Sequence, residues 1–182
     1  MVEPPRTWRP VRGTVEREPV PGTGIAEAFD QADRAMLVLG LPGSGKTTLL
    51  LRLADELLDR AEADADAPLP LFLELADWVR SNRQHGPFRI REAMNLQDIG
   101  EWAVQAAERA YAVGAGIVGV WLAERRLVLL FDGLDEVPES MRAECVRLLN
   151  ELLLRCPRLA LVVSSRSRSM CTSAGDFGWS TR

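Results

Sequence analysis

The sequence predicts a three-layer α/β fold built on a parallel sheet, and three observations carry that prediction. Short apolar runs recur at Ala35–Leu39, Leu69–Leu75 (broken only by Glu74), Leu127–Phe131 and Leu159–Val163. Longer segments between them place apolar residues three and four apart, the period of one helix face. A glycine-rich turn joins the first apolar run to the first helical segment. Strands buried on both faces read as continuous apolar runs, and strands alternating with helices pair in parallel.

The elements follow in order. Residues 1–24 are proline-rich with little apolar periodicity and read as an extended N-terminal arm. Ile25, Ala28 and Phe29 fit a short helix leading into the strand Ala35–Leu39. A long helix opens at Thr47, with Leu50, Leu53, Ala54, Leu57, Leu58 and Ala61 on one face. A loop ending in Pro68 precedes the strand Leu69–Leu75, and Asn82–Asn95 is a polar connection. Helices are expected over Leu96–Ala110 and Ile117–Arg125, then the strand Leu127–Phe131. Glu139–Arg155 is an amphipathic helix presenting Cys145, Leu148, Leu149 and Leu152, followed by the strand Leu159–Val163. The end differs in kind: six of nine serines fall in the last 19 residues, so 167–182 reads as an irregular tail. The expected division is therefore an arm (1–24), a core (25–166) and a tail (167–182).

Composition removes several functional classes. A formal net charge of −4 gives no electrostatic basis for binding nucleic acid or an anionic membrane. Cys145, Cys156 and Cys171 are an odd number without CxxC spacing, which suggests neither a disulfide framework nor a zinc site. One histidine, His85, argues against histidine metal clusters and a Ser-His-Asp triad. The longest uncharged apolar stretch, Ala110–Ala123, is 14 residues, short of the roughly 20 a spanning helix needs. The acidic, proline-bearing start lacks the features of a secretory signal, so the cytoplasm is the default location. Trp78, Trp102 and Trp121 read as packing residues, Asp64 and Asp66 as a solvated loop, and His85 as exposed.

The chemistry begins at Gly40-Leu41-Pro42-Gly43-Ser44-Gly45-Lys46-Thr47, which fits the P-loop pattern G-x-x-x-x-G-K-[ST]. Its glycines permit backbone angles that turn successive N–H groups toward an anion. Lys46 can reach β- and γ-phosphates, Thr47 can ligate Mg²⁺, and Thr48 continues the same helix N-terminus, whose dipole favours an anion. Lys46 is the sole lysine among 22 basic residues. A chain that otherwise uses arginine has a compact ammonium where a planar guanidinium is no substitute.

A P-loop needs a carboxylate on a neighbouring strand, and Leu127–Phe131 runs into Asp132. Asp132 is placed to hold Mg²⁺ through water, the Walker-B role. Asp135 and Glu136 follow as candidates to orient and deprotonate a water. Strand Leu159–Val163 leads into Ser164-Ser165-Arg166, on the sheet edge where ligands bind, so Arg166 can touch a γ-phosphate. An ordinary surface arginine is the alternative there. Guanine-specific GTPases carry an N/T-K-x-D motif, which needs a second lysine, so ATP is the expected nucleotide. No signature of the LSGGQ type separates the two nucleotide motifs.

The segments LVLGLPGSGKTTLLLRLA, LFLELADW, WLAERRLVLLFDGLDEV and LALVVSSR together resemble the NACHT group of STAND ATPases in its bacterial form. The apolar strand ending in D-G-L-D-E is the most discriminating part of the resemblance. It implies an additional-strand P-loop ATPase whose strands lie in the order 2-3-4-1-5, counted from Ala35–Leu39. It also implies that Lys46, Thr47, Asp132 and Arg166 serve phosphate, metal and sensor, with Asp135 and Glu136 as the acidic pair. Intact relatives are nucleotide-dependent switches in signal transduction that hydrolyse ATP slowly, often in stress or anti-phage sensing.

Relatives continue past the sensor arginine into a fifth strand, a helical domain, a winged helix and often ligand-sensing repeats. The fifth strand is expected to be missing here, leaving the P-loop strand an unpaired edge. The serine-rich end suggests a truncated product, out of frame after about Ser167. Protein partners and self-association would run through those C-terminal regions. Two other readings stay open: a small-molecule phosphotransferase with Arg89 or Arg91 as lid arginines, and a nonfunctional fragment.

Overall fold

The computed structural model describes residues 7–10, 23–83, 96–156 and 159–166. Arg89, Arg91, His85, Cys171 and the tail 167–182 lie outside the described residues. The chain runs β1 (Thr7–Pro10), α1 (Ile25–Gln31), β2 (Ala35–Gly40), α2 (Lys46–Ala63), β3 (Leu69–Glu74) and α3 (Leu75–Arg83). It continues through α4 (Leu96–Tyr111), α5 (Ala115–Ala123), β4 (Leu127–Asp132), a 3₁₀ turn (Leu134–Glu136), α6 (Glu139–Arg155) and β5 (Ala160–Arg166).

The five strands lie in the order β1-β2-β5-β4-β3. The last four are parallel and reproduce the expected order 2-3-4-1. The expectation of an unpaired edge on the P-loop strand is corrected. Thr7–Pro10 of the arm pairs antiparallel with β2, Thr7 opposite Leu39 and Pro10 opposite Met36. An apolar strand with free backbone donors templates association unless something satisfies it, and the arm does so for four residues.

Strand parity sorts the core into two layers. Met36 and Val38 of β2, Val128 and Leu130 of β4, and Ala160 and Val162 of β5 face α1 and α2. Their alternates, including Leu37, Leu39, Leu129, Phe131, Leu161 and Val163, face α3 to α6. This second layer holds Trp78 and Trp102, and the Trp102 ring lies 6.1 Å from Phe131 between centroids. Trp121 is half-buried against it.

Most predicted elements hold within two residues at each end, with two differences of substance. Leu58 of α2 is exposed at 45%, because the buried face of the helix runs through Leu50, Leu53 and Leu57 and Leu58 lies one step around it. The segment after β3 turns directly into α3, where Leu75 starts a helix that buries Trp78 and Val79. The face of α6 predicted from its period, Cys145, Leu148, Leu149 and Leu152, is buried throughout. Among the described residues no helix is long and apolar enough to cross a membrane.

Candidate functional site

The parity that builds the core also aims the site. Two residues beyond Val38, Leu130 and Val162 come Gly40, Asp132 and Ser164, so all three fall on the α2 side at the carboxyl ends of their strands. The register sets Gly40 opposite Arg166 and Glu74 opposite Asp132. Ligands of open parallel sheets bind at this edge.

Gly40 ends β2 and the loop turns through Gly43 (φ +71°) and Gly45 (φ +82°), both in the left-handed region where a side chain is strained. The Ser44 N–H donates to the Leu41 carbonyl at 3.1 Å, closing the turn. Gly45 caps α2 and brings no side-chain cap bond, so the first-turn amides of Lys46, Thr47 and Thr48 face an open helix end. Lys46 Nζ donates to the carbonyls of Leu41 at 3.1 Å and Gly40 at 3.3 Å, which sets its ammonium across the loop. Leu41 and Pro42 are exposed at the tip.

Thr47 Oγ1 donates to Asp132 Oδ2 at 2.7 Å, across 85 positions of sequence. The other oxygen, Oδ1, accepts from Ser164 Oγ, which itself accepts the Gly133 N–H at 2.9 Å. Gly133, at φ +77°, then turns the chain into the 3₁₀ segment, anchored by buried Leu134 and Val137. From α6, Arg142 Nη2 donates to the carbonyls of Asp135 (3.1 Å) and Val137 (2.9 Å) and pins the turn.

The acidic pair has unequal surroundings. The Asp135 side chain is 7% exposed and bound to Arg166: the backbone N–H reaches Oδ1 at 3.0 Å and Nε reaches Oδ2 at 2.6 Å. Glu136 is exposed, with its Cδ close enough to Gly133 that an added Cβ would lie 3.2 Å away. Its charge helps raise the pKa of Arg80, after the dominant hydrogen bond and charge of Asp77 and the charge of Glu74. Carboxylates from β3, α3 and the acidic turn thus gather around one exposed guanidinium.

Each residue singled out in the sequence lies at this edge if it belongs to the P-loop, the acidic turn or the end of β5. Ser164, Arg142, Glu74 and Arg80 join them without having been anticipated. A signal for Ser164 was present: it is a polar residue two positions after Val162, on a strand buried as far as Ser165. No three His, Cys, Asp or Glu side chains converge as a metal cluster among the described residues. Thr47 and Asp132 instead offer two hard oxygen donors, a set that fits Mg²⁺, which keeps waters and takes phosphate oxygens for its remaining positions. A separate recess of about 430 Å³, lined by Phe29, Arg34 and Arg60, lies at the opposite edge of the sheet and takes no part.

A strand–glycine loop–helix unit with its lysine at the helix start, faced by a strand-end aspartate, defines a P-loop NTPase core. The NACHT domain family model matches residues 34–177, most of the chain. The chain belongs to the NACHT family and is a nucleotide-binding NTPase module. No curated protein and no solved structure matches it.

Proposed function

We propose that this core binds ATP with Mg²⁺ at the carboxyl edge of the sheet, hydrolyses it slowly and acts as a nucleotide-dependent switch in signal transduction. The observation that carries the reading is the 2.7 Å contact from Thr47 on the P-loop helix to Asp132 on β4. It joins the two halves of a phosphate–metal site. The amides from Gly43 to Thr48 cradle phosphate oxygens, and Lys46 exchanges its two carbonyl partners for β- and γ-oxygens. Thr47 and Asp132 hold the ion, which when bound neutralises phosphate charge. Glu136, exposed at the site, orients and deprotonates the attacking water. Asp135 holds Arg166 at the end of β5, where the arginine stabilises a γ-phosphate and reports its loss.

Such a switch needs a contact that differs between ATP and ADP. The half-exposed Arg166, paired to a carboxylate and adjacent by register to Gly40, supplies one. ATP is favoured over GTP because the chain has no second lysine for a guanine-reading motif. A cytoplasmic setting and self-association or protein partners complete the reading.

Thermal shift of the whole chain with Mg-ATP and with Mg-GTP tests it. Saturation at about 100 Kd should add roughly 2.7 kcal/mol of stability for ATP. A melting temperature unmoved by both nucleotides refutes the reading.

A further inference from the structure

We infer that Ser164 is a positioning residue that sets the metal affinity of the site by fixing the Asp132 carboxylate; this rests on the nucleotide-site reading above. Two hydrogen bonds run in series to one oxygen of the Asp132 carboxylate, and a third meets the other oxygen from the opposite side. The Gly133 N–H donates to Ser164 Oγ at 2.9 Å, and the Ser164 hydroxyl donates to Asp132 Oδ1. On the other side Thr47 Oγ1 donates to Asp132 Oδ2 at 2.7 Å.

Proton counting shows why the chain matters. A hydroxyl has one proton and two lone pairs. Thr47 commits its proton to Asp132, so its lone pairs are left for a cation. That works only while Oδ2 stays where the threonine proton can reach it. Ser164 holds the carboxylate by its second oxygen, and the Gly133 amide occupies a serine lone pair and so orients the serine proton toward Asp132. Ser164 is fully buried, and no solvent competes for the relay. The Gly133 amide can serve because its φ of +77° breaks strand geometry immediately after Asp132.

Groups that orient a metal ligand from behind typically change metal affinity about 10- to 100-fold when removed. Ser164→Ala should therefore raise the Mg²⁺ concentration for half-maximal ATP-dependent thermal stabilisation about tenfold. ATP affinity in EDTA should stay within about twofold of wild type, because the P-loop amides and Lys46 are untouched. Ser164→Thr, which restores the hydroxyl, should return the Mg²⁺ requirement toward wild type. Ser164→Cys keeps a comparable volume with a weak donor, and it is read in place of the alanine variant should that one fail to fold.

A wild-type Mg²⁺ requirement in folded Ser164→Ala or Ser164→Cys overturns the inference, as does a loss of ATP affinity equal with and without the ion. A wild-type chain showing no ATP-dependent shift at any Mg²⁺ concentration refutes the nucleotide-site reading instead, and that failure is seen without any variant.

Discussion

Arg166 holds Asp135 from two directions, with its backbone N–H on Oδ1 at 3.0 Å and its Nε on Oδ2 at 2.6 Å. The pair ties the end of β5 to the turn after β4, at the edge where Gly40 stands opposite Arg166. Both carboxylate oxygens are engaged and the Asp135 side chain is 7% exposed, whereas Glu136 is open to solvent. Neighbours in sequence, these two acids sit in unlike surroundings.

Substitution should separate them. Asp135→Ala removes the acceptor of a strand-end N–H and the partner of a half-exposed guanidinium. Solvent screens the arginine, so the expected cost is about 1–2 kcal/mol, below that of a fully buried pair. Glu136→Gln should change stability by less than about 0.5 kcal/mol and abolish ATP turnover. Urea melts and phosphate release measure the two effects, and equal destabilisation by both variants contradicts the division.

Lys46→Ala should leave the nucleotide-free chain close to wild type in stability, since among the described residues the ammonium donates to two carbonyls at the rim of the loop. It should eliminate the thermal shift produced by Mg-ATP. Arginine in its place should not restore that shift, because a planar fork cannot replace a point charge there. Full ATP-dependent stabilisation in either variant counts against the site.

The two left-handed glycines tested by substitution should respond differently. Gly133 adopts φ +77°, and a Cβ there meets Glu136 Cδ at 3.2 Å and Cγ at 3.3 Å. Gly43 adopts φ +71° with nothing within 4 Å of such a Cβ. Alanine at either position carries left-handed strain of roughly 1–2 kcal/mol. Only Gly133→Ala should also push Glu136 aside and lower turnover at saturating ATP. A variant with normal turnover would show that Glu136 is not held by this turn.

Much of this was legible in the sequence because the signals are local. A buried parallel strand reads as AMLVL, a P-loop has a fixed spacing, and a strand running into Asp132 states its own edge. What was not legible depends on distant partners. The pairing of Thr7–Pro10 with β2 joins segments whose registry no periodicity encodes. The tie between Arg166 and Asp135 requires knowing that β5 lies beside β4, with 31 positions between the residues. Ser164 was hidden differently, since serine at a strand end looks like the start of a loop until parity aims it at Asp132.

The β1–β2 pairing makes a prediction about solubility. Met36 to Leu39 are buried along with their backbone, and β1 supplies the outer neighbour of that strand. Removing residues 1–10 should expose an apolar edge able to pair with a second copy. Light scattering coupled to size exclusion should then show a concentration-dependent larger species missing from the full chain. An identical mass distribution for the two forms would mean that the pairing protects nothing.

Cys145 gives the pH dependence its sign. The side chain is fully buried on α6, and burial pushes its thiol up from 9.0 to about 12. Below pH 9 the thiol is neutral in both folded and unfolded chains, and its contribution to stability is intact. From pH 9 to about 12 the unfolded chain releases the proton while the folded chain retains it, so stability falls as pH rises through that window. Cys145→Ala should flatten this part of the profile relative to wild type, because other alkaline groups titrate alike in both. The variant should also lose about 1–2 kcal/mol at neutral pH from the space left in the core. The same burial protects Cys145 from alkylation at pH 8, so the half-buried Cys156 should label before it. Parallel alkaline slopes in the variant and the wild type would show that the thiol does not set the difference.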